Sequence, residues 1–343
     1  MIETNKAHEL DIVELIEDLP EHDLYRGARG TVVEVFVEPE DAYMIEFVDD
    51  SGTSSKIADW VRPQQVTNVD AIAKEVYAQG MIHLQQGSTV EAARHFRQAV
   101  QLIPSYIRGL HESFRMSLTG SENWPMFIWA MRFIRLIDPS YEIAKQNLAI
   151  AYLNYGVQEA NKGNYEASLQ LFQDGLRIET PLDITNLLKE NIAASHTALG
   201  IQAHEKGDLE LSKLHFESAY SFFTDNRTRR NLGMAYYHLA TFYAGQGDLS
   251  KTIINYQWAE DAGLIVSEIL NNHAGALANS GEMDAAILLM ESAQALSPQD
   301  EVLQSNLTKL LKNKIGTNFI TESPALKFFP VPPGNAVEVS SAA

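Results

Sequence analysis

The sequence contains no cysteine and no long apolar run, and each absence excludes a class of protein. Without cysteine there is no disulfide and no thiolate-ligated zinc, so nothing in the chain requires an oxidising compartment. No stretch approaches the roughly 18 apolar residues of a membrane-spanning helix. The N-terminus, MIETNKAHELD, lacks the basic and apolar regions of a secretory signal. We therefore expect a cytoplasmic protein with no membrane contact.

Basic residues are also scarce, at 26 Lys and Arg against 45 Asp and Glu, which leaves a net charge of −19. Proteins that neutralise phosphates need clustered basic side chains. We therefore expect neither nucleic acid nor anionic membranes as partners. The simplest explanation of the negative net charge is that it keeps the protein soluble. Apolar residues make up 45% of the 343 residues, enough for packed cores in two or three units.

A repeat occupies the centre of the chain. The stretches 147–175, 191–219 and 231–259 each place an Asn sixteen residues before a Gly and a ring nine residues after that Gly. The nine-residue pairs are Gly163/Phe172, Gly207/Phe216 and Gly247/Tyr256, with weaker copies at Gly87/Phe96, Gly120/Trp129 and Gly281/Met290. Small residues recur before and after each Gly. The pattern indicates two helices joined by a glycine turn, a unit that buries its apolar face only when neighbouring units stack.

These positions resemble the tetratricopeptide repeat (TPR), whose unit is about 34 residues. The resemblance covers 73–298 and is weak at 106–139, where Pro125 and Arg132 replace small residues. It implies a mainly α fold, a TPR-type α-solenoid of about six helix-turn-helix units. The turn-to-turn steps are 33, 43, 44, 40 and 34 residues, so the central first helices are expected to extend backwards by about two turns.

Residues 1–66 do not carry the repeat. The runs Thr31–Val37 and Tyr43–Val48 are rich in β-branched and aromatic residues and are separated by turns, which favours a small β-barrel. The segment 9–66 resembles an SH3-like barrel family of bacteria that has no known function. The residues that carry this resemblance are Asp11-Ile12-Val13, Leu19-Pro20-Glu21-His22, Gly27, Gly30-Thr31-Val32-Val33-Glu34-Val35 and Glu46-Phe47-Val48-Asp49.

The turn beginning at Gly27 also resembles the opening of RNA-associated barrels. Residues 1–66 contain sixteen acidic and five basic residues, a balance that opposes RNA binding.

The predicted domain order follows from these patterns. It is an acidic SH3-like barrel at 1–66, a polar linker at 67–72 in which Asp70 caps the next helix, repeats at 73–298, a capping helix at 299–314 and a disordered Pro-containing tail at 315–343. The tail has one apolar patch, Phe328–Pro333 (FFPVPP). Two hypotheses stay open for this patch: it docks as an extended segment, in the protein's own groove for example, or it is unstructured.

No arrangement of residues predicts catalysis or a bound cofactor. His204-Glu205 lacks the second His that a zinc-binding helix places one turn later. His196 and His204 are two turns apart on one predicted helix, a spacing that is more often solvated than metal-bound. Gly27 and Gly30 lie between strands rather than before a helix, so they do not form a phosphate loop. We expect no enzyme activity, no cofactor, no metal and no small-molecule substrate.

The TPR resemblance implies a concave groove, lined by the first helices, that holds a peptide or a partner helix. The residues that it places in the groove are Tyr77, Met81, Leu110, Phe114, Leu153, Val157, Thr197, Ile201, Tyr237, Thr241 and Asn271. The central units lack the Lys, Asn and Arg of the family's carboxylate clamp, which favours an apolar or amphipathic ligand. The alternative is that some of these residues pack against the extended first helices.

The function expected from the sequence is a non-enzymatic scaffold or adaptor for a protein or peptide partner. Two alternatives stay open. One is a TPR regulator that senses a signalling peptide, and the other is a barrel with a nucleic-acid-associated or enzymatic role.

Overall fold

The computed structural model describes residues 6–48, 55–118 and 123–312. The chain forms two compact units, of which the first extends to Leu148 and the second begins at Ala149. The boundary falls inside a helix. The first unit contains a β-sheet followed by helices, and the second contains helices only among its described residues.

The N-terminal segment is a five-stranded antiparallel sheet. Its strands are β1 (Ile12–Leu15), β2 (Arg29–Phe36), β3 (Ala42–Val48), β4 (Ser55–Val61) and β5 (Val66–Asn68). Their order in the sheet is β4-β3-β2-β1-β5. Alternate side chains such as Val13, Val32 and Ile45 enter one apolar cluster, which buries one face of the sheet. Among the ladders of the described strands none joins β4 to β5, so closure into an SH3-like barrel stays a prediction.

Two glycines of the predicted turn before β2 have different structural roles. Gly27 has a φ of +89°, which makes it the residue that turns the chain. Gly30 lies within β2, where an added Cβ would come within 2.5 Å of the Ile45 side chain. Gly30 therefore permits close packing of β2 on β3. Because β2 already begins at Arg29, the turn ends before Gly30 rather than after it.

Helices account for the rest of the described chain. They are α1 (Val69–Gln85), α2 (Thr89–Leu102), α3 (Tyr106–Leu118), α4 (Trp124–Ile137), α5 (Glu142–Asn161), α6 (Tyr165–Leu176), α7 (Leu182–Glu205), α8 (Leu209–Phe222), α9 (Asn226–Gln246), α10 (Leu249–Asp261), α11 (Ser267–Ser280), α12 (Met283–Leu296) and α13 (Glu301–Leu311). The first twelve pack in six adjacent pairs, as in a TPR solenoid. The predicted fold class and the number of units are therefore confirmed.

The turn glycines and the small helix residues explain the pairing. Gly163, Gly207 and Gly247 have φ values of +84°, +80° and +75°, so each ends its helix in the left-handed conformation. Within α5, a Cβ added to Gly156 would lie 2.3 Å from the ring of Phe172 on α6. The small residue of each first helix thus makes room for the ring of its second helix. The predicted turn at Gly120 lies outside the described residues.

The central first helices are long, as the turn spacing predicts. α5, α7 and α9 have 20, 24 and 21 residues, whereas α11 has 14. The additional turns of α7 contribute Ile184 and Leu188 to an apolar cluster that contains Leu153 and Phe172. The extension therefore serves packing between successive units.

The segment 67–72 is not a linker, and that prediction is wrong. Strand β5 ends at Asn68 and α1 begins at Val69. Asn68 caps α1 by accepting a hydrogen bond from the backbone N–H of Ala71 at 2.9 Å. Asp70, the predicted cap, accepts a hydrogen bond from the backbone N–H of Ile12 in β1. The polar residues of this segment connect the sheet to α1 instead of separating them.

The predicted capping helix is present as α13. Of its apolar side chains, Leu303 and Leu310 are buried, whereas Val302 and Leu311 are exposed. The buried pair packs in one apolar cluster with residues of α11 and α12. The predicted disorder of 315–343 lies outside the described residues.

Candidate functional site

Six of the eleven predicted groove residues lie in the core rather than on an open surface. They are Leu110, Leu153, Val157, Thr197, Tyr237 and Asn271, each less than 7% exposed. Leu153 and Val157 pack against the additional turns of α7, and Tyr237 packs against Tyr256 and Ile269. Neighbouring elements therefore bury Leu153, Val157 and Tyr237, so these three side chains do not line an open groove.

The other five predicted groove residues, Tyr77, Met81, Phe114, Ile201 and Thr241, are half-buried. The ring of Tyr77 lies between those of Phe96 and Tyr106, with centroids 5.0 Å from each. Ile201 packs at the edge of the cluster around Phe216, and the hydroxyl of Thr241 donates to the backbone carbonyl of Tyr237 at 3.0 Å. Each side chain is thus held by its own unit or the next one. That these residues bind a partner stays a prediction.

An open apolar cavity lies in the first unit. Its volume is about 500 Å³, and its lining residues are Leu84, Phe114, Asn123, Pro125, Met126 and Trp129. These residues come from α1, α3 and α4 and from the cap of α4. Of the predicted groove residues, Phe114 is in this lining.

Aromatic contacts hold the cavity wall in place. Trp129 stacks on Phe133 with centroids 5.3 Å apart and meets Phe114 edge to face at 6.0 Å. Trp129 nevertheless keeps 37% of its surface exposed, and Met126 keeps 47%. Among the described lining residues Asn123 is the polar one, and its side chain accepts a hydrogen bond from the backbone N–H of Met126. None of the described lining residues is titratable, so this part of the cavity wall is suited to apolar contact rather than to proton transfer.

The sequence did not predict this cavity, although the residues that line it lie partly in a segment that fits the repeat poorly. Residues 106–139 fit the repeat poorly because Pro125 and Arg132 replace small residues, while Trp124 and Trp129 add bulk. The sequence pattern by itself indicates only a weak repeat at these residues. In the structure Pro125 and Trp129 line the cavity, so two of the residues that depart from the pattern form part of its wall.

Four histidines in the second unit form two pairs. The Nδ1 atoms of His196 and His215 are 3.1 Å apart, and the rings of His204 and His238 lie 4.4 Å apart. Burial, together with a smaller effect of the neighbouring imidazole, lowers the pKa of His196 and of His238 to about 4 in each case. His196 and His204 lie on one helix as predicted, but each is paired with a ring from another helix. His196 and His238 are therefore neutral at physiological pH.

Two further observations bear on the kind of site. Within the described ranges, no three His, Asp or Glu side chains are arranged to hold a metal ion. Over the same ranges, no helix combines the length and the hydropathy that crossing a membrane requires.

Comparison with known proteins gives one family match. Residues 9–60 match a domain of unknown function, DUF4926. This range lies within the segment predicted as a barrel and covers a small part of the chain. No curated protein matches the chain.

The chain is also similar to solved structures of TPR proteins. PilF of Pseudomonas aeruginosa shares 14% identity over 72% of this chain and 99% of its own, with a TM-score of 0.26. YrrB, a TPR protein with an unusual peptide-binding site, shares 15% identity over 62% of this chain and 96% of its own, with a TM-score of 0.25. The APC/C hetero-tetramer Cut9-Hcn1 shares 19% identity over 70% of this chain but only 43% of that chain, with a TM-score of 0.27. Similarity at this level supports no conclusion about function, and the repeat assignment rests on the helix pairs and turn glycines.

Proposed function

We propose that the chain is a non-enzymatic interaction scaffold that binds a short apolar segment of a protein partner. The observation that carries this proposal is the open cavity of the first unit, with its wall of Phe114, Met126 and Trp129. Partially exposed Trp and Met are frequent at the centre of protein interfaces, where their burial contributes most of the binding free energy.

The chemistry of the cavity supports a protein ligand over the other classes. The lining residues that the structure describes offer one amide and otherwise apolar surface, with no acid, base or cation among them for a polar substrate. A net charge of −19 opposes nucleic acid. The absence of cysteine fits a cytoplasmic location. An amphipathic helix that places Leu, Met or Phe at i and i+4 is the ligand whose shape and polarity fit best.

A matched pair of tryptophan variants tests the proposal. Trp129→Ala removes one wall of the cavity, whereas Trp258→Ala removes a tryptophan of similar exposure (41%) from α10 in the second unit. Because the loss of a central anchor costs more than about 1 kcal/mol, we expect Trp129→Ala to reduce partner capture from the host lysate at least fivefold. Capture by Trp258→Ala is expected to remain at the native level.

A second variant separates binding from folding, because Trp129 also packs on Phe133. Met126→Asp places a charge in the wall at a side chain that is 47% exposed, so it leaves the core intact. We expect a native thermal midpoint with weakened capture. Native capture by both Trp129→Ala and Met126→Asp would show that the cavity is not the binding site.

A further inference from the structure

Two aromatic rings stack on the outer face of the sheet, the face turned away from its apolar cluster. Phe36 of β2 and Trp60 of β4 have ring centroids 4.9 Å apart and an angle of 15° between their planes. Val35 packs against the apolar cluster, so its neighbour Phe36 points to the opposite face. Trp60 keeps 47% of its surface exposed. We call this pair of rings the aromatic patch. Because aromatic side chains are enriched in protein interfaces, it is a candidate contact surface.

The pairing of the strands brings the two rings together. Phe36 pairs with Ala42 of β3, and residues paired across two strands point to the same face. Trp60 lies on the other side of β3, in the part of β4 between Ala58 and Val61. The short side chain of Ala42 therefore leaves room for the two rings to meet above β3.

A β-bulge fixes the direction of the Trp60 side chain. Asp59 and Trp60 together oppose the single residue Met44 of β3, and Trp60 has a φ of +55°. This left-handed conformation is unfavourable for a bulky residue and persists only where the surrounding structure imposes it. Bulges re-aim side chains, and strain of this kind concentrates at functional sites. Here the strained residue is the one that carries the exposed indole.

Carboxylates without a basic partner lie beside the aromatic patch. Glu34 lies two residues before Phe36 on the same face of β2, and Asp59 directly precedes Trp60. In the ladder, Glu34 and Asp59 flank Met44 from its two sides. Both carboxylates are exposed, and among the described residues neither forms an ion pair. They are thus available to a cation from outside the chain.

The basic residues in this part of the sheet are already engaged. Each forms an ion pair with a carboxylate of the same unit: Arg29 with Glu14, Lys56 with Asp23 and Arg62 with Glu40. Residues 29–62 contain eight acidic and three basic residues. The negative charge of this segment is therefore unbalanced, so it attracts a cationic partner and repels phosphate.

We propose that the aromatic patch binds an arginine side chain of a basic peptide segment in a partner protein. A guanidinium is planar and stacks on an aromatic ring, while its N–H groups donate to carboxylates beside the ring. The exposed indole of Trp60 and the carboxylates of Glu34 and Asp59 supply both kinds of contact. A lysine offers the charge without the planar stacking surface. This surface differs from the apolar cavity in residues and in ligand chemistry, so the proposal does not depend on binding at the cavity.

A titration of the full chain with two labelled peptides tests the charge requirement. The probe is a short fluorescein-labelled peptide of alternating glycine and arginine, and binding is measured by fluorescence anisotropy. The control peptide has citrulline in place of arginine, which keeps the planar side chain and removes its charge. We expect the citrulline peptide to bind about tenfold more weakly, because cation–π attraction and the contacts with carboxylates are lost.

Two variants at position 60 test the ring. Trp60→Gly removes the indole while suiting the bulge, because glycine adopts a positive φ without strain. We expect it to bind the arginine peptide about tenfold more weakly, with an unchanged circular dichroism spectrum. Trp60→Tyr retains an aromatic ring and should restore most of the affinity.

A charge-matched pair of double variants tests the carboxylates. Glu34→Gln with Asp59→Asn should weaken binding of the arginine peptide about threefold or more, since exposed ion pairs each contribute modestly. The control is Glu291→Gln with Glu301→Gln, which removes the same charge from exposed positions of α12 and α13. Its affinity is expected to stay at the native level. If Trp60→Gly does not fold, this exposed pair decides the question.

Three results would overturn the proposal. The first is native affinity in folded Trp60→Gly, or equal affinity for the arginine and citrulline peptides. The second is equal weakening by the two double variants, which would indicate only general attraction between an acidic chain and a cation. The third is self-association that Trp60→Gly abolishes, measured by sedimentation, in a chain that binds neither peptide. The aromatic patch would then contact a second copy of the chain.

Discussion

At the scale of single residues, the packing of the neighbouring helix determines whether a helical glycine can be replaced by a larger residue. Gly156 and Gly245 are both helical glycines, in α5 and α9. A Cβ at Gly156 would meet the ring of Phe172, whereas a Cβ at Gly245 would meet nothing within 4 Å. The same substitution is therefore expected to have opposite effects at the two positions.

We expect Gly156→Ala to lower the free energy of unfolding by about 1–3 kcal/mol, because overpacking against Phe172 outweighs the better helix propensity of Ala. Gly245→Ala should raise it by roughly 0.5–1 kcal/mol, since the unfolded chain loses conformational freedom and no contact is strained. Chemical denaturation of both variants checks the pair. A neutral Gly156→Ala would show that the ring of Phe172 moves aside at little cost.

The paired histidines make stability depend on pH. Burial holds the pKa of His238 at about 4, below the ordinary value of 6.5. The unfolded state therefore binds a proton as the pH falls below 6.5 and the folded state does not, so stability is complete above pH 6.5 and declines toward pH 4. This shift corresponds to about 3 kcal/mol, which partial solvent screening reduces to roughly 1–2 kcal/mol.

His238→Gln isolates this contribution, because glutamine does not titrate. Between pH 6.5 and 4, the decline in the free energy of unfolding should be about 1–2 kcal/mol smaller in the variant than in the native chain. Unfolding curves in urea at four pH values measure the difference. Parallel curves for the two proteins would mean that His238 titrates in the folded state as it does in the unfolded state.

At the scale of elements, the first helix pair is part of the same packed unit as the sheet. Ile12 of β1 packs with Val69, Ala73 and Ile103, which come from α1 and the end of α2. The guanidinium of Arg29 in β2 donates to the backbone carbonyl of Leu102 at 2.9 Å. Apolar burial and hydrogen bonds thus join two elements that the sequence pattern treats as separate domains.

This packing predicts that the segment 67–70 resists proteases in the native chain, since β5 and the first turn of α1 are hydrogen-bonded and Val69 is 2% exposed. Val69→Asp should make it cleavable by placing a charge in the contact with Ile12. The exposed Lys74→Ala on the same helix should leave resistance unchanged. Rapid cleavage of the native chain at Thr67–Asp70 would instead support two independently folded domains.

At the scale of the whole molecule, the two units carry different surfaces. The first contains the acidic sheet, with sixteen acidic residues among residues 1–66, and the open apolar cavity of α1, α3 and α4. The second contains the long helices α7 and α9. On the function proposed above, the first unit contacts a partner directly through this cavity.

The sequence by itself determined the repeat, the number of units and the length of the central helices. These properties are local, because a turn needs Gly at positive φ and a ring nine residues later needs a small partner on the preceding helix. The spacing of Gly163, Gly207 and Gly247 therefore revealed the helix pairs and the additional turns. The strands of the N-terminal sheet followed from β-branched runs in the same way.

Only the tertiary structure decided which residues are accessible. Leu153 and Tyr237 occupy positions that face a groove in a regular solenoid, yet the additional turns of α7 bury Leu153 and α10 and α11 bury Tyr237. Trp129, by contrast, sits where a repeat pattern predicts a core ring and keeps 37% of its surface exposed. Burial depends on how neighbouring units pack, and the residues that decide it lie far away in sequence. The helix period marks the face of a helix, but only the assembled stack determines whether that face meets protein or water.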